Sequence, residues 1–181
     1  MQRHINKLET MLRVDHAGEY GAVRIYEGQR AVFAALPGKE KTCALIEEMA
    51  EQEQAHLDTF DKLLNQHQIR PTLLGPLWHA AGFSLGVATA LMGEKAAMAC
   101  TAVVEEVIDD HYASQIETLR QDAARGENTE LLETIESFRA DEAAHRDTAL
   151  NHGAEDAPGY QFMRSVIRFG CQTAIRISEK I

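Results

Sequence analysis

Residues 51–56 read Glu-Gln-Glu-Gln-Ala-His and residues 140–145 read Ala-Asp-Glu-Ala-Ala-His, so a Glu followed three positions later by a His occurs twice, as Glu53/His56 and Glu142/His145. On an α-helix three positions turn about 300°, which puts carboxylate and imidazole on one face, a turn apart. Each pair is preceded by a Glu among small and apolar residues: Glu19 lies 34 positions before Glu53, and Glu105 lies 37 before Glu142. A single such pair on a polar helix face is common and mostly solvated. Two copies at helix–turn–helix distance from a further Glu restrict the chain to antiparallel helices that bring acidic residues inward.

Two Glu-x-x-His helices facing two helices that each supply one Glu make a carboxylate-bridged site for two iron or manganese ions. Hard carboxylate ligands with imidazole suit either metal. The candidate ligands are Glu19, Glu53, His56, Glu142, His145 and one of the adjacent pair Glu105 and Glu106, of which only one can point inward. An ionised Glu beside an apolar stripe is costly unless paired or metal-bound.

The periodicity predicts an all-α chain. A first helix runs from about Ile5 to Ala35, with Leu8, Leu12, Ala22, Ile25 and Ala31 inward, and ends at Pro37-Gly38. Gly18 and Gly21 beside Glu19 leave room for a close neighbour, Tyr26 shares the face of Glu19, and His16 is either a group supporting that site or an ordinary core or surface histidine. A second helix, about Glu40 to Gln66, carries Ile46, Met49, Leu57, Phe60 and Leu64 around Glu53 and His56. A third runs through Val103–Leu119 to Gly126, a fourth from about Thr129 to His152, and a last one follows Pro158-Gly159. Asp141, next to Glu142, is expected to face solvent.

Residues 73–93 contain no Asp, Glu, Lys or Arg. That length alone would permit a membrane span. Gly75-Pro76 and His79 interrupt it, however, and abundant Gly and Ala dilute its hydrophobicity. We expect an apolar helix at a membrane interface or lining a greasy channel, the alternative being a buried connector and core helix. Gly82, Gly86 and Ala90 form a small-residue ridge suited to close packing. The last helix alternates Phe162, Met163, Val166, Ile167 and Phe169 with Arg164, Arg168 and Arg176, and could pack on the bundle or touch anionic lipid.

Eighteen basic against 28 acidic residues give a net charge of −10 with no basic run, which disfavours a nucleic-acid binder. Cys43, Cys100 and Cys171 are widely spaced and read as reduced thiols of a cytosolic or matrix-like compartment. The start, Met-Gln-Arg-His, has no apolar signal core.

Longer segments resemble the demethoxyubiquinone hydroxylase family of ubiquinone biosynthesis, a branch of the ferritin-like di-iron proteins. They are LRVDHAGEYGA from Leu12, EQEQAHL from Glu51, RPTLLGPLWHAAGFSLG from Arg70, LMGEKAAMACTAVVEE from Leu91, His111-Tyr112, FRADEAAH from Phe138 and the terminal ISEKI. Around Val107–Asp110 the chain is more acidic than the family pattern, which leaves Asp109 and Asp110 without a role. The resemblance implies a single ferritin-like four-helix domain over residues 1–181, with an additional apolar membrane-associated helical stretch and a C-terminal helix. It selects Glu105 over Glu106 and makes Glu19, Glu53, His56, Glu105, Glu142 and His145 the ligands of two iron ions per subunit, bridged by Glu53 and Glu142. It further implies a monooxygenase that hydroxylates the ring of demethoxyubiquinol with O₂ and two electrons, from NADH or the quinol itself. His111 and Tyr112 are the candidates for supporting or electron-transfer roles. The isoprenoid tail would lie along Leu73–Val104. The expected location is peripheral: the cytoplasmic face of a bacterial cell membrane, or the matrix face of the mitochondrial inner membrane for a trimmed eukaryotic chain. Expected partners are the quinol, the lipid surface, a lipid-presenting protein and further copies of the chain. Two other readings share the motifs. One is iron storage or peroxide scavenging of the ferritin or rubrerythrin kind, though the Cys-x-x-Cys of rubrerythrin is missing. The other is a quinone or lipid carrier without redox chemistry.

Overall fold

The computed structural model describes the backbone of residues 2–181 and the side chains from Lys7 onward; the reading of the first four residues as lacking a signal core falls largely outside these. Among the described residues there are six α-helices, α1 (Gln2–Ala34), α2 (Glu40–His67), α3 (Gly75–Leu91), α4 (Glu94–Ala123), α5 (Thr129–Asn151) and α6 (Tyr160–Ser178), with a short 3₁₀ turn at Ala154–Asp156. No strand occurs among the described residues. Helix α1 packs on α2 and α4 on α5, while α1 also meets α4, and α3 lies along α1.

Apolar residues at helical spacing gather into two clusters. One holds Leu12, Phe60, Leu64, Tyr112, Ile116, Leu119, Leu131 and Ile135. The other holds Ile25, Tyr26, Phe33, Ile46, Met49, Ala149 and most of Ala96–Val104. On each of α1, α2, α4 and α5 the repeated acidic residues fall between the positions that feed these two clusters. Polar side chains are thus flanked by dry core on both sides along the helix axes. Ala31, expected inward, is exposed, and Phe33 takes the buried position near the end of α1.

The small-residue ridge of α3 meets α1. A Cβ on Gly86 would come within 2.0 Å of the Ile25 carbonyl oxygen, and one on Gly28 within 2.3 Å of the Phe83 carbonyl oxygen. Helix α1 therefore contributes its own glycine to the close approach at Gly28. A Cβ built on Gly18 or Gly21 meets nothing within 4 Å, but one on Gly82 would come within 2.9 Å of the Gly21 carbonyl oxygen, so α3 does approach α1 closely at Gly21. Gly93 joins α3 to α4 at φ 114, in the region that favours glycine.

No helix among the described residues is long and apolar enough to cross a membrane. The stretch 73–93 is buried on one side and exposed on the other. Gly82, Gly86, Thr89 and Ala90 are buried, while Leu73, Leu77, Phe83, Leu91 and Met92 are exposed. Exposure ends there: Ala96–Val104 are core, which removes that segment as a surface track for an isoprenoid tail.

Helix α6 buries Met163 and Ile167 and turns Arg164 and Arg168 to α4. Arg164 and Arg168 donate to Glu106 Oε1 at 2.5 and 2.6 Å, and Arg168 also donates to Asp110 Oδ2 at 2.8 Å. Asp109 accepts from Arg139 at 2.6 Å and from Arg146 at 3.0 Å, both on α5. The extra acidity near Asp110 is therefore a clamp for α5 and α6. With Arg164 and Arg168 so used, α6 presents Phe162 (75% exposed), Val166 and Phe169 (70% exposed) outward. Trp78 Nε1 donates to Ser178 Oγ at 3.3 Å and joins the start of α3 to the end of α6. Cys43, Cys100 and Cys171 are free thiols, Cys100 buried and the others half-buried.

Candidate metal centre

Glu19 comes from α1, Glu53 and His56 from α2, Glu105 from α4, and Glu142 and His145 from α5. All four carboxylates are fully buried, and both imidazoles are nearly so. Glu105 is the inward member of its pair and Glu106 faces α6, as the helical turn between neighbours requires.

The six form two overlapping groups. Ligand atoms of Glu19, Glu53, His56 and Glu142 lie within 4.8 Å of one another, as do those of Glu53, Glu105, Glu142 and His145. Glu53 and Glu142 belong to both. His56 Nδ1 is 3.2 Å from Glu142 Oε1 and 3.7 Å from Glu19 Oε2, and His145 Nδ1 is 2.9 Å from Glu53 Oε1. These contacts lack hydrogen-bond geometry. Glu19 Oε2, both oxygens of Glu53 and of Glu142, Glu105 Oε2 and both histidine Nδ1 atoms are buried with no hydrogen-bond partner. An unpaired buried carboxylate costs several kcal/mol, and here four converge, so the donor set fits a pair of cations.

Proton affinities express the same crowding. Burial first, then Glu105 and Glu19, raises the Glu53 carboxyl well above its usual range; burial, then Glu53, does so for Glu142. Glu105 is pushed up to about 7 by burial, against hydrogen bonding that pulls it down. Burial alone would depress His56, but Glu19 and Asp141 outweigh it and raise it. His145 is lowered to about 4 by burial and by His56.

The surrounding residues repeat as the ligands do. Tyr26, seven positions after Glu19, donates to Glu105 Oε1 at 2.6 Å. Tyr112, seven after Glu105, donates to Glu19 Oε1. Burial raises both phenols well above their ordinary value, so each stays a neutral donor. Gln29 and Gln115, ten after each Glu, follow suit: Gln29 bonds Ala97 O and Thr101 Oγ1, while Gln115 bonds Asp15 Oδ1. The histidines are held crosswise. His56 Nε2 meets Asp141 Oδ2 at 3.2 Å, and His145 Nε2 meets Gln52 Oε1 at 2.6 Å. Asp141, expected to face solvent, is half-exposed yet bonds the opposite motif's imidazole.

Tyr112 thus touches a candidate ligand directly. His111 does not: it lies 3.2 Å from Asp15 and 2.9 Å from Gln115, beside an open cavity of about 320 Å³ that Lys7 and Glu179 also line. His16 turns to Asp61 at 3.1 Å, away from the centre. The reading from motifs missed Gln52, Gln29, Gln115 and Asp15, although the shared spacing of Tyr and Gln after Glu19 and Glu105 carried a signal for two of them.

Residues 6–178 match the family described as Ubiquinone biosynthesis protein COQ7. The chain belongs to this family. It is 48% identical over 174 residues to the 3-demethoxyubiquinol 3-hydroxylase of Rhodospirillum rubrum, covering 96% of this chain and 78% of that protein. The NADPH-dependent 3-demethoxyubiquinone 3-hydroxylase, mitochondrial, of Homo sapiens is 46% identical over 174 residues, with the same coverage of 96% and 78%. The 5-demethoxyubiquinone hydroxylase, mitochondrial, of Saccharomyces cerevisiae is 40% identical over 184 residues, again covering 96% and 78%.

Proposed function

We propose that the chain is a 3-demethoxyubiquinol 3-hydroxylase of ubiquinone biosynthesis, a monooxygenase built as one ferritin-like domain over residues 1–181. The observation that carries the chemistry is the convergence of six buried Glu and His side chains whose inward atoms lack partners. Glu19 and His56 would hold one iron ion and Glu105 and His145 the other, with Glu53 and Glu142 shared between them. When bound, the two ions supply O₂ activation with two electrons from outside the chain. NADH or the quinol itself would supply them, and the name of the human relative specifies NADPH.

The chain's own residues prepare that centre. Tyr26 and Tyr112 hold one oxygen of Glu105 and of Glu19, leaving the second free to face inward. The apolar clusters on either side keep bulk water away. Asp141 and Gln52 fix the histidine rings with Nδ1 inward. His111, the neighbour of Tyr112 in the chain and 3.2 Å from Asp15, is placed to support the Glu19 side. Outward Phe162, Val166 and Phe169 on α6 and Leu73 and Leu77 before and on α3 support peripheral attachment to a lipid surface, where an isoprenoid quinol resides. Iron storage is not favoured by the family match.

The test is anaerobic reconstitution with ferrous iron, followed by O₂ and demethoxyubiquinol. Two irons per chain and stoichiometric hydroxylated quinol are expected. Iron oxidised without product, growing into a ferric core, would replace this reading with storage.

A further inference from the structure

The centre is nearly two-fold symmetric: Glu19, Tyr26, Gln29, Glu53 and His56 correspond to Glu105, Tyr112, Gln115, Glu142 and His145. Two of the places where the symmetry breaks are charged on one side and neutral on the other, both in the same sense. His56 Nε2 bonds a carboxylate, Asp141, where His145 Nε2 bonds a neutral amide, Gln52. Four residues before Glu19 stands buried Asp15, where the corresponding position before Glu105 is Thr101. Asp15 accepts from Gln115 at 2.6 Å and faces His111 at 3.2 Å, while Thr101 meets Gln29 at 3.5 Å.

An imidazole whose outer N–H donates to a carboxylate is a stronger metal donor than one bonded to an amide, because the negative charge favours electron density on the inner nitrogen. We propose that Asp141 and Gln52 are positioning residues that make the two halves unequal. The Glu19–His56 position binds a divalent metal more tightly and fills first, and the Glu105–His145 position fills second. This rests on the reading of the six residues as metal ligands. The distinction is set by the residue immediately before each Glu of the two Glu-x-x-His motifs, each acting on the histidine of the other motif.

The experiment is stepwise titration of the full, metal-free chain with ⁵⁷Fe(II) under anaerobic conditions. Binding constants come from calorimetry, and Mössbauer spectra are taken at one and two equivalents. Wild type should show two constants and, at one equivalent, a single dominant iron environment. D141N preserves size and an accepting oxygen but removes the charge. It should weaken the first constant on the order of tenfold, leave the second unchanged, and populate both environments at one equivalent, with the far-UV circular dichroism unaltered. D141N/Q52E should reverse the filling order. Unchanged constants in D141N, or an equal loss at both positions, would overturn the proposal. Two equal constants in wild type would overturn it while leaving the metal centre intact, whereas absence of iron binding would overturn the centre itself.

Discussion

Tyr26 of α1 donates to Glu105 of α4 across 2.6 Å, and the inverse pair, Tyr112 of α4 to Glu19 of α1, completes an exchange between the two helices. Each single-Glu helix thus supplies the phenol that steadies the other's carboxylate. A hydrogen bond to a charged acceptor contributes roughly 1.5–3 kcal/mol. Tyr26→Phe and Tyr112→Phe should therefore each lower iron affinity about tenfold or more, by similar factors, as measured by competition with a chelator. A loss confined to one variant would contradict the exchange.

Glu142→Ala removes a carboxylate shared by both ligand groups. Hydroxylation should be abolished and iron stoichiometry should fall below two, while the helical circular dichroism persists because both apolar clusters remain. Retained activity would remove the proposed centre.

Gly86→Ala places a Cβ against the Ile25 carbonyl oxygen at 2.0 Å, and backbone cannot yield there as a flexible side chain would. Overpacking of this kind costs about 1–3 kcal/mol, read as a lower urea midpoint. Gly18→Ala, with open space around its Cβ, should not destabilise the fold.

The metal-free protein should lose stability as pH rises. Glu105, at about 7 in the fold against an ordinary 4.5, keeps a proton that the unfolded chain releases. Its contribution is full below about 4.5 and lost as pH rises through about 7. Glu53, Glu142 and His56, all raised, act in the same sense. His145, lowered to about 4 from 6.5, opposes them: its contribution is full above 6.5 and lost as pH falls through about 4. The carboxylates outnumber it, so the urea midpoint in chelator should decline between pH 5 and 8. A midpoint that climbs across this range would refute the assignment of buried protons.

Phe162→Ser/Phe169→Ser removes the most outward apolar residues of α6 while leaving Met163, Ile167 and the arginine clamps in place. Flotation with anionic vesicles should fall several-fold, and hydroxylation of a short-tailed, water-soluble quinol should not. Undiminished flotation would locate lipid contact elsewhere.

The helices, the ends of α2 and α5, and the inward Glu53, His56, Glu142 and His145 were legible in the chain because each follows from a local period of 3.6 residues and from the cost of burying a carboxylate. The repeated intervals before those motifs singled out Glu19 for the same reason. Choosing Glu105 over Glu106 needed the family resemblance, since either neighbour can face a core until the third helix is rotated into place. What local pattern could not supply is which groups meet across helices. Asp141 sits on the rim of α5 by its own period, and only the approach of α2 brings His56 Nε2 within 3.2 Å of it. Likewise, Arg164 and Arg168 of α6 could face lipid or protein, and the placement of Glu106 and Asp110 on α4 decided for protein, turning Phe162 and Phe169 outward. Sequence determined the faces of the helices, because periodicity is a property of one helix. Tertiary structure decided the pairings between faces, because a hydrogen bond acts over about 3 Å and that distance exists only once helices remote in the chain have packed.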